Sequence, residues 1–520
     1  MPRSSVIILG FLLLVTVLAP AYATRNDVGF AGDSGSYVIA ARTFAREGKL
    51  LGPDGHGGVA PYSSWPPLYP WVLGFLSRFF GDVLPAARWL NIVLFPLNVL
   101  LLAAVARRFK ISPGWTVFVC ALFVFAPSIL AAHVEAMSGS LFLTCWLLNW
   151  FLILRYGEHP SWGLIVAAGA AGALTLLNRY FGFATIAAFS VYLCLGSVGG
   201  WARKITAAAI YFVLGVAPVT CWLWFSRQSS TLVQLHQSNA GPPSFFQSWV
   251  APELAAFARW VLPADGHNLF KAALAFLLVV GIAAWMVAVF RGREANWPGL
   301  TLKTAIVRPE ISILLNLVAC QMILVCAKMV RDHSMLFDER QEMPVFVCTL
   351  LIIGVLATAC APAWRAGATK FSRYLVMAVL TLFVAGYVIT GAEWVRRADA
   401  EHLVWSSRPY RDSPARALVD RAPAGTPIYG NILNPLVYYT TRIDLYRMPD
   451  SSVEINGQRN PQYAQEVADM IADVVKRRGL IVVFNTSSSR FASSEELKKN
   501  PQLRAAIDTP EVAVFEPSGG

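Results

Sequence analysis

An acidic residue shortly after the first apolar segment is the clearest candidate for chemistry in this sequence. Asp33 stands in the run Gly32-Asp33-Ser34-Gly35-Ser36-Tyr37, and the preceding apolar segment extends to about Tyr22. A carboxylate this close to a membrane surface can accept a proton from a substrate hydroxyl. Alternatively, Asp33 only caps the helix that follows it, because Asp is a favoured N-cap residue. The sequence leaves both interpretations open.

A second group of candidates consists of charged residues near the ends of apolar segments. Such residues are rare in membrane proteins, and each is a functional hypothesis by default. A phosphate at the outer membrane face would suit the basic ones, because guanidinium groups bind phosphate through paired hydrogen bonds. Salt bridges between neighbouring loops are the alternative. The basic candidates are Arg179, Lys328, Arg331 and Arg340, and the acidic candidates are Glu135 and Asp338.

The composition indicates what kind of molecule must position these residues. Of 520 residues, 56% are hydrophobic and 14% are charged, and the mean hydropathy is +0.52. A soluble domain carries about 25% charged residues, whereas one membrane crossing needs about 20 mostly apolar residues. The long segments here are continuously apolar, unlike the alternating strands of membrane barrels. The sequence therefore predicts a polytopic α-helical membrane protein.

About eleven apolar segments are long enough to cross a bilayer. The basic residues of alternate loops fall on one side, which the positive-inside rule assigns to the cytoplasm. We attribute the formal net charge of +12 to this topology rather than to nucleic-acid binding. The first segment also resembles a cleavable signal peptide, although a retained span is favoured. The segments begin near Val6, Leu84, Trp115, Ser138, Trp162, Phe181, Lys204, Leu269, Ile311, Met343 and Phe371.

The chain divides into a membrane domain, residues 1–390, and a polar tail, residues 391–520, predicted to lie outside the cytoplasm. The membrane domain has long outer loops at 24–83 and 226–268, with amphipathic helices at 68–80 and 252–262 suited to the headgroup plane. The tail is predicted to be a small α/β domain. Its strands are expected at 428–429, 437–439, 480–484 and 511–516, its helix at 461–478, and a capping box at Ser493 and Glu496.

Several short motifs occur in a characteristic order along the membrane domain. Asp33 is followed by Tyr37 and by Ala40-Ala41-Arg42, and later come Pro66-Pro67-Leu68-Tyr69-Pro70, Asn178-Arg179-Tyr180-Phe181-Gly182, and Arg340 four residues before Pro344. In this order they resemble the GT-C superfamily of polyprenyl-phosphate-sugar-dependent glycosyltransferases. The similarity is greatest to the branch with aminoarabinose transferases, protein O-mannosyltransferases and lipopolysaccharide galacturonosyltransferases.

Three positions depart from the pattern of that branch. The acidic pair of the first loop is Asp33-Ser34, and the Ser-Glu-Pro-like motif of the fourth span is Ser138-Gly139-Ser140, with Glu135 upstream. The Arg-Tyr pair near the tenth span is Arg340-Gln341. These departures leave open whether a divalent metal takes part and which residue is the second carboxylate.

The resemblance implies an inverting glycosyltransferase that moves a sugar from a polyprenyl-phosphate donor to a glycan, lipid or protein of the bacterial cell envelope. The reaction would occur at the outer face of the cytoplasmic membrane. By this resemblance Asp33 is the base, and the phosphate ligands are Arg179, Lys328, Arg331 and Arg340. A second acid or the acceptor site would come from Glu135, Asp338, Tyr37 and Tyr69.

Two other functions remain as alternatives. A transporter or flippase of lipid-linked sugars would explain the spans and the basic residues, but not the large tail and long first loop on the same outer face. A membrane scaffold whose tail binds cell-wall polymer is the other alternative. A nucleotide-sugar site is not expected, because no Rossmann-type glycine fingerprint occurs.

Overall fold

The computed structural model describes residues 2–62, 65–196, 199–229, 317, 339–367, 370–451, 460–485 and 490–518. The segments predicted near Leu269 and Ile311 and the helix predicted at 252–262 lie outside these residues. Among the site candidates, Lys328, Arg331 and Asp338 also lie outside them.

Twelve helices precede the tail in the described part of the chain. They are α1 (Arg3–Ala23), α2 (Ser34–Glu47), α3 (Leu68–Phe80), α4 (Val83–Arg108), α5 (Pro113–Phe125), α6 (Pro127–Ala132), α7 (Gly139–Glu158), α8 (Trp162–Asn178), α9 (Gly182–Gly196), α10 (Trp201–Ser229), α11 (Glu339–Gly367) and α12 (Lys370–Arg397).

Five described helices are long and apolar enough to cross a membrane. They lie at Arg3–Ala23, Val83–Arg108, Gly139–Glu158, Trp201–Ser226 and Tyr374–His402, and shorter apolar helices lie at Pro113–Phe125, Trp162–Asn178, Gly182–Leu195 and Met343–Ala359. Each coincides with a predicted apolar segment. The prediction of a polytopic helical membrane protein is therefore confirmed, whereas the number of eleven spans stays a prediction.

The bundle is held together by small residues and by buried polar pairs. At Gly169 of α8, an added Cβ would lie 2.8 Å from the Cβ of Leu214, so glycine lets α8 and α10 approach closely. The Asn149 amide donates to the Tyr211 hydroxyl at 2.9 Å, and the Trp146 indole donates to Thr185 at 2.9 Å. These contacts satisfy polar groups that would be costly to leave unpaired in lipid.

Three of the basic loops on the predicted cytoplasmic side, those near Arg108, Glu158 and Arg203, meet at one end of the described bundle. Arg108 at the end of α4 pairs with Glu158 at the end of α7, and Arg203 donates to the Pro160 carbonyl at 3.0 Å. Because α7 begins at Gly139 and ends at Glu158, its first residues lie at the opposite end. The candidates Asp33, Glu135 and Arg179 belong to that opposite end.

The tail contains a five-stranded mixed sheet. Before it, β1 (Leu51–Pro53) and β2 (Val59–Pro61) form a hairpin within the first outer loop. The sheet order is β4-β3-β5-β7-β6, and its strands are β3 (Ile428–Gly430), β4 (Leu445–Arg447), β5 (Leu480–Phe484), β6 (Leu503–Asp508) and β7 (Val512–Pro517). Strand β3 is parallel to β4 and β5, whereas β7 is antiparallel to β5 and β6.

Most local predictions for the tail are confirmed, and one is wrong. Strands lie at Ile428–Gly430, Leu480–Phe484 and Val512–Pro517, a helix at Tyr463–Arg477, and the capping box at Ser493. The strand predicted at 437–439 is instead the end of the helix Leu433–Tyr439. Burial of this helix against α2 overrides the β-propensity of Val and Tyr.

Helix α12 continues past Gly391 to Arg397, so residue 391, where the tail was predicted to begin, lies within a helix.

The remaining tail helices are short. They are Arg408–Arg411, Pro414–Asp420 and Ser494–Leu497, and a π-helical turn, Ala398–His402, follows α12.

The first outer loop is attached to the edge of the tail sheet. Arg447 of β4 donates its backbone N–H to the Gly55 carbonyl at 2.8 Å, and Gly57 donates to the Leu445 carbonyl at 3.2 Å. Gly57 has a φ of +81°, and a Cβ there would lie 2.1 Å from the Tyr446 ring. Only glycine fits this turn, which covers the backbone groups at the edge of β4.

Arg42 joins α2 to both the tail and the start of α4. Its guanidinium is buried, donates to the carbonyls of Val437 (3.0 Å) and Thr440 (3.3 Å), and pairs with both carboxylate oxygens of Asp82. Although burial opposes ionisation, the Arg42 hydrogen bonds and charge hold the pKa of Asp82 below its usual value. The pair is therefore ionised at neutral pH.

Replacing Arg42 with Ala should destabilise the protein, because charge-assisted hydrogen bonds contribute about 1.5–3 kcal/mol each to a folded state. We expect a melting temperature several degrees lower, measured by tryptophan fluorescence of the detergent-solubilised protein. Arg46→Ala is the matched control, because Arg46 is exposed on the same helix. Equal melting temperatures for the two variants would contradict a structural role for Arg42.

Candidate functional site

Asp33 stands at the N-cap position of α2, but its side chain does not cap the helix. No capping hydrogen bond from the carboxylate is present, and its φ and ψ of −81° and 1° differ from the extended conformation typical of N-caps. The Ser34 hydroxyl instead accepts the N–H of Ala31 at 3.0 Å. The structure thus does not support the capping interpretation for the half-buried Asp33 carboxylate.

Ser138 joins two of the predicted site residues. Its hydroxyl oxygen lies 3.3 Å from the Tyr37 hydroxyl and accepts a hydrogen bond from Nε of Arg179 at 3.2 Å. The neighbouring Asn178 donates to the Ser138 carbonyl at 3.1 Å. Arg179 also lies over the Phe142 ring, 5.8 Å from its centroid. The guanidinium is therefore oriented beside the helix that carries Asp33.

Two buried tyrosines complete the region around Tyr37. The Tyr69 ring packs edge-on against Tyr37 with centroids 5.2 Å apart. Burial raises the pKa of Tyr69 well above its usual value, and the nearby Tyr37 and Glu135 add to the rise. Burial also raises the pKa of Tyr62 well above its usual value, and the nearby Tyr37, Tyr180 and Asp33 add to the rise. Both hydroxyls therefore stay protonated and able to donate.

The hydroxyls of Tyr62 and Tyr69 are buried without a hydrogen-bond partner among the residues that the structure describes. A buried hydroxyl in that state is costly, and a bound sugar or phosphate would satisfy it. Tyr62 was not among the sequence candidates. It lies in a loop without helical or strand periodicity, so the sequence carries no signal for its burial.

Glu135 is brought to the site by backbone pairing with the first outer loop. Gly29 donates to the Val134 carbonyl and accepts from the N–H of Ala136, both at 2.7 Å. A Cβ at Gly29 would lie 3.0 Å from the Val134 carbonyl oxygen, so the close approach depends on glycine. The Asn91 amide holds the Glu135 carbonyl at 2.7 Å. Glu135 is buried and lies near Tyr69.

Arg340 lies in the first turn of α11. One turn further on, the Met343 methyl group contacts Gly139, where an added Cβ would lie 3.3 Å from it. Because Gly139 directly follows Ser138, the start of α11 lies next to the residue that joins Tyr37 and Arg179. The candidates Lys328, Arg331 and Asp338 lie outside the described residues.

The described part of the chain contains no group of three or more His, Cys, Asp or Glu side chains arranged to hold a metal ion. His133, close to Glu135 in sequence, has structural contacts. One ring nitrogen lies 2.7 Å from the Ile129 carbonyl, the other lies 2.9 Å from the Asn98 amide, and the ring stacks on Phe95.

Comparisons with known proteins agree with this architecture. Residues 64–224 match the model of a family described as dolichyl-phosphate-mannose-protein mannosyltransferase. The fold is similar to a crystal structure of ArnT from Cupriavidus metallidurans bound to undecaprenyl phosphate, with a TM-score of 0.53 and 16% identity, covering 98% of this chain and 97% of that one. No curated protein sequence matches the chain.

Two further solved structures share the fold. An Archaeoglobus fulgidus oligosaccharyltransferase tethered with an acceptor peptide has a TM-score of 0.53 and 10% identity, covering 93% of this chain and 69% of that one. Arabinofuranosyltransferase AftD from Mycobacteria has a TM-score of 0.56 and 11% identity, covering 98% of this chain and 40% of that one. All these are GT-C glycosyltransferases.

The predicted resemblance to the GT-C superfamily is confirmed by the family match and by the shared fold. Residues 64–224 are thus similar to a glycosyltransferase family, and the fold of the chain is the one those enzymes share. None of the proteins matched above supports the transporter alternative.

Proposed function

We propose that the chain transfers a sugar from a polyprenyl-phosphate donor to an acceptor in the bacterial cell envelope, at the outer face of the cytoplasmic membrane. The observation that carries this proposal is the arrangement around Ser138. It brings the Arg179 guanidinium and the Tyr37 hydroxyl together, and Tyr37 lies on the helix that begins directly after Asp33. ArnT, which shares the fold, was solved with undecaprenyl phosphate bound.

A lipid phosphate is the donor group that this arrangement suits best. Polyprenyl phosphate leaves as an anion, so its departure requires positive charge rather than a proton. Arg179 supplies that charge, and Lys328, Arg331 and Arg340 are further candidates. The buried hydroxyls of Tyr62 and Tyr69 can donate to the sugar or to the phosphate.

Asp33 acts as the general base in this mechanism. It takes the proton from the acceptor hydroxyl while the acceptor oxygen forms a bond to the anomeric carbon. The bond between that carbon and the phosphate oxygen breaks, and polyprenyl phosphate leaves with the electron pair. A single displacement inverts the anomeric configuration. Glu135, close to Tyr69, serves as the second acidic residue.

The donor class can be tested with purified protein in lipid. A panel of radiolabelled polyprenyl-phosphate sugars and nucleotide sugars is offered with envelope lipids, glycans or proteins as acceptors. We expect label transfer from one polyprenyl-phosphate sugar and none from the nucleotide sugars. Transfer only from a nucleotide sugar would overturn the proposed donor.

The proposed orientation places the tail outside the cytoplasm. An alkaline phosphatase fused after the C-terminus should be active, because the enzyme matures only after export. A fusion after Lys110, in a basic loop at the other end of the bundle, should be inactive. The reverse pattern would place the site in the cytoplasm and contradict a reaction at the outer face.

A further inference from the structure

The helix Leu433–Tyr439 of the tail lies along α2, directly beside the turn that presents Asp33. The side-chain amide of Asn434 donates a hydrogen bond to the Gly32 carbonyl at 2.6 Å. Gly32 has a φ of +38°, a conformation that side chains disfavour. The residue immediately before Asp33 is thus held by a side chain that lies 402 residues away in sequence.

Asn434 also contacts the chain on the other side of Asp33. A Cβ added at Gly35 would lie 2.4 Å from Oδ1 of Asn434 and 2.7 Å from its Cα. The turn therefore packs against Asn434 only because residue 35 has no side chain. Backbone on both sides of the carboxylate rests on this one residue.

Other contacts fix the same helix to the first outer loop. At its C-terminal end, Arg42 donates to the carbonyls of Val437 and Thr440. Tyr438 donates its hydroxyl to Asp27 at 2.8 Å, and its ring lies 5.3 Å from that of Phe30. These contacts fix the C-terminal half of the helix that carries Asn434.

We propose that Asn434 is a positioning residue that sets the place of the Asp33 carboxylate relative to Tyr37 and Arg179. The inference rests on the proposed function, in which Asp33 is the base. Asn434 does not touch the substrate in this account, and it acts through the turn. A displacement of about 1 Å at a catalytic group can lower a rate by about a hundredfold, so the tail has a direct part in the rate of transfer.

The test compares Asn434→Ala and Asn434→Asp with a matched control in full-length protein in lipid. Asp is nearly isosteric with Asn, but it cannot donate to the Gly32 carbonyl. Asn485→Ala is the control, because the Asn485 amide donates to a tail carbonyl, that of Thr509, at 3.0 Å. With the radiolabelled polyprenyl-phosphate sugar that the wild type uses, we expect kcat to fall at least about tenfold in both Asn434 variants. KM for the donor should stay within about twofold.

Hydrogen–deuterium exchange supplies a readout that does not depend on rate. Amides 31–37 should exchange faster in Asn434→Ala than in the wild type, whereas the strand Leu480–Phe484 should be unchanged. Unchanged kcat, or unchanged exchange at 31–37, would overturn the positioning role. Equal losses in Asn485→Ala would show a general effect of the tail and would overturn it as well.

A double variant separates this inference from the proposed function. If Asn434 acts through Asp33, adding Asn434→Ala to Asp33→Asn should leave the residual rate unchanged. A tenfold further loss would contradict the inference while leaving the base assignment intact. Wild-type turnover by Asp33→Asn alone would instead refute the base assignment, and the positioning role with it.

Discussion

Asp33→Asn is expected to lower turnover at least about a hundredfold, because it removes the proton acceptor while keeping the size of the side chain. Asn caps helices about as well as Asp, and the Asp33 side chain makes no capping bond. Expression and melting temperature should therefore match the wild type. The measurement is the transfer rate at saturating donor.

Asp420→Asn is a suitable control, because Asp420 is an exposed carboxylate of the tail. It should retain wild-type turnover. If Asp33→Asn transfers sugar within a few-fold of the wild type, Asp33 is not the base. Glu135 would then be the acid to test next, because it is buried near Tyr69.

Arg179→Ala is expected to produce the second large effect. A lost hydrogen bond to a charged group corresponds to about 1.5–3 kcal/mol, or roughly a ten- to hundredfold fall in kcat/KM for the donor. Arg179→Lys should recover part of the loss, because Lys keeps the charge but lacks the planar fork. Ser138→Ala should give a smaller loss, since it keeps the guanidinium and removes only the contacts of the Ser138 hydroxyl with Arg179 and Tyr37.

Arg155→Ala is the matched control for that experiment. Arg155 carries the same charge at the opposite end of the bundle, where it lies 3.8 Å from Glu158. Its removal should leave kcat/KM unchanged. Equal effects of the two substitutions would mean that Arg179 contributes only to folding or to the electrostatic potential of the whole protein. The phosphate site would then have to lie elsewhere.

Local patterns predicted much of the fold. The amphipathic helix expected at 68–80 is α3, Leu68–Phe80. It was predictable because the spacing of apolar residues along the sequence is enough to indicate one apolar helix face. The capping box at Ser493 is present for the same reason. The strand expected at 437–439 failed because its propensity is local, whereas its helical state depends on packing against α2.

The candidate site was less accessible from the sequence. Charge and position made Asp33 and Arg179 candidates, but the contacts around them join residues that are far apart in sequence. Ser138 contacts Tyr37 across 101 residues, and Asn434 contacts Gly32 across 402. Hydroxyl and amide side chains of this kind are common in any sequence. Only the fold shows that Ser138 and Asn434 both contact the segment from Gly32 to Tyr37.

The most direct test of the central claim is whether the bond between sugar and phosphate breaks during turnover. Proteoliposomes carrying a doubly labelled polyprenyl-phosphate sugar allow transferred sugar and released polyprenyl phosphate to be counted together. We expect one released lipid phosphate for each sugar transferred, with inverted anomeric configuration, and loss of both products in Asp33→Asn. Movement of the intact donor across the membrane without release of lipid phosphate would contradict it.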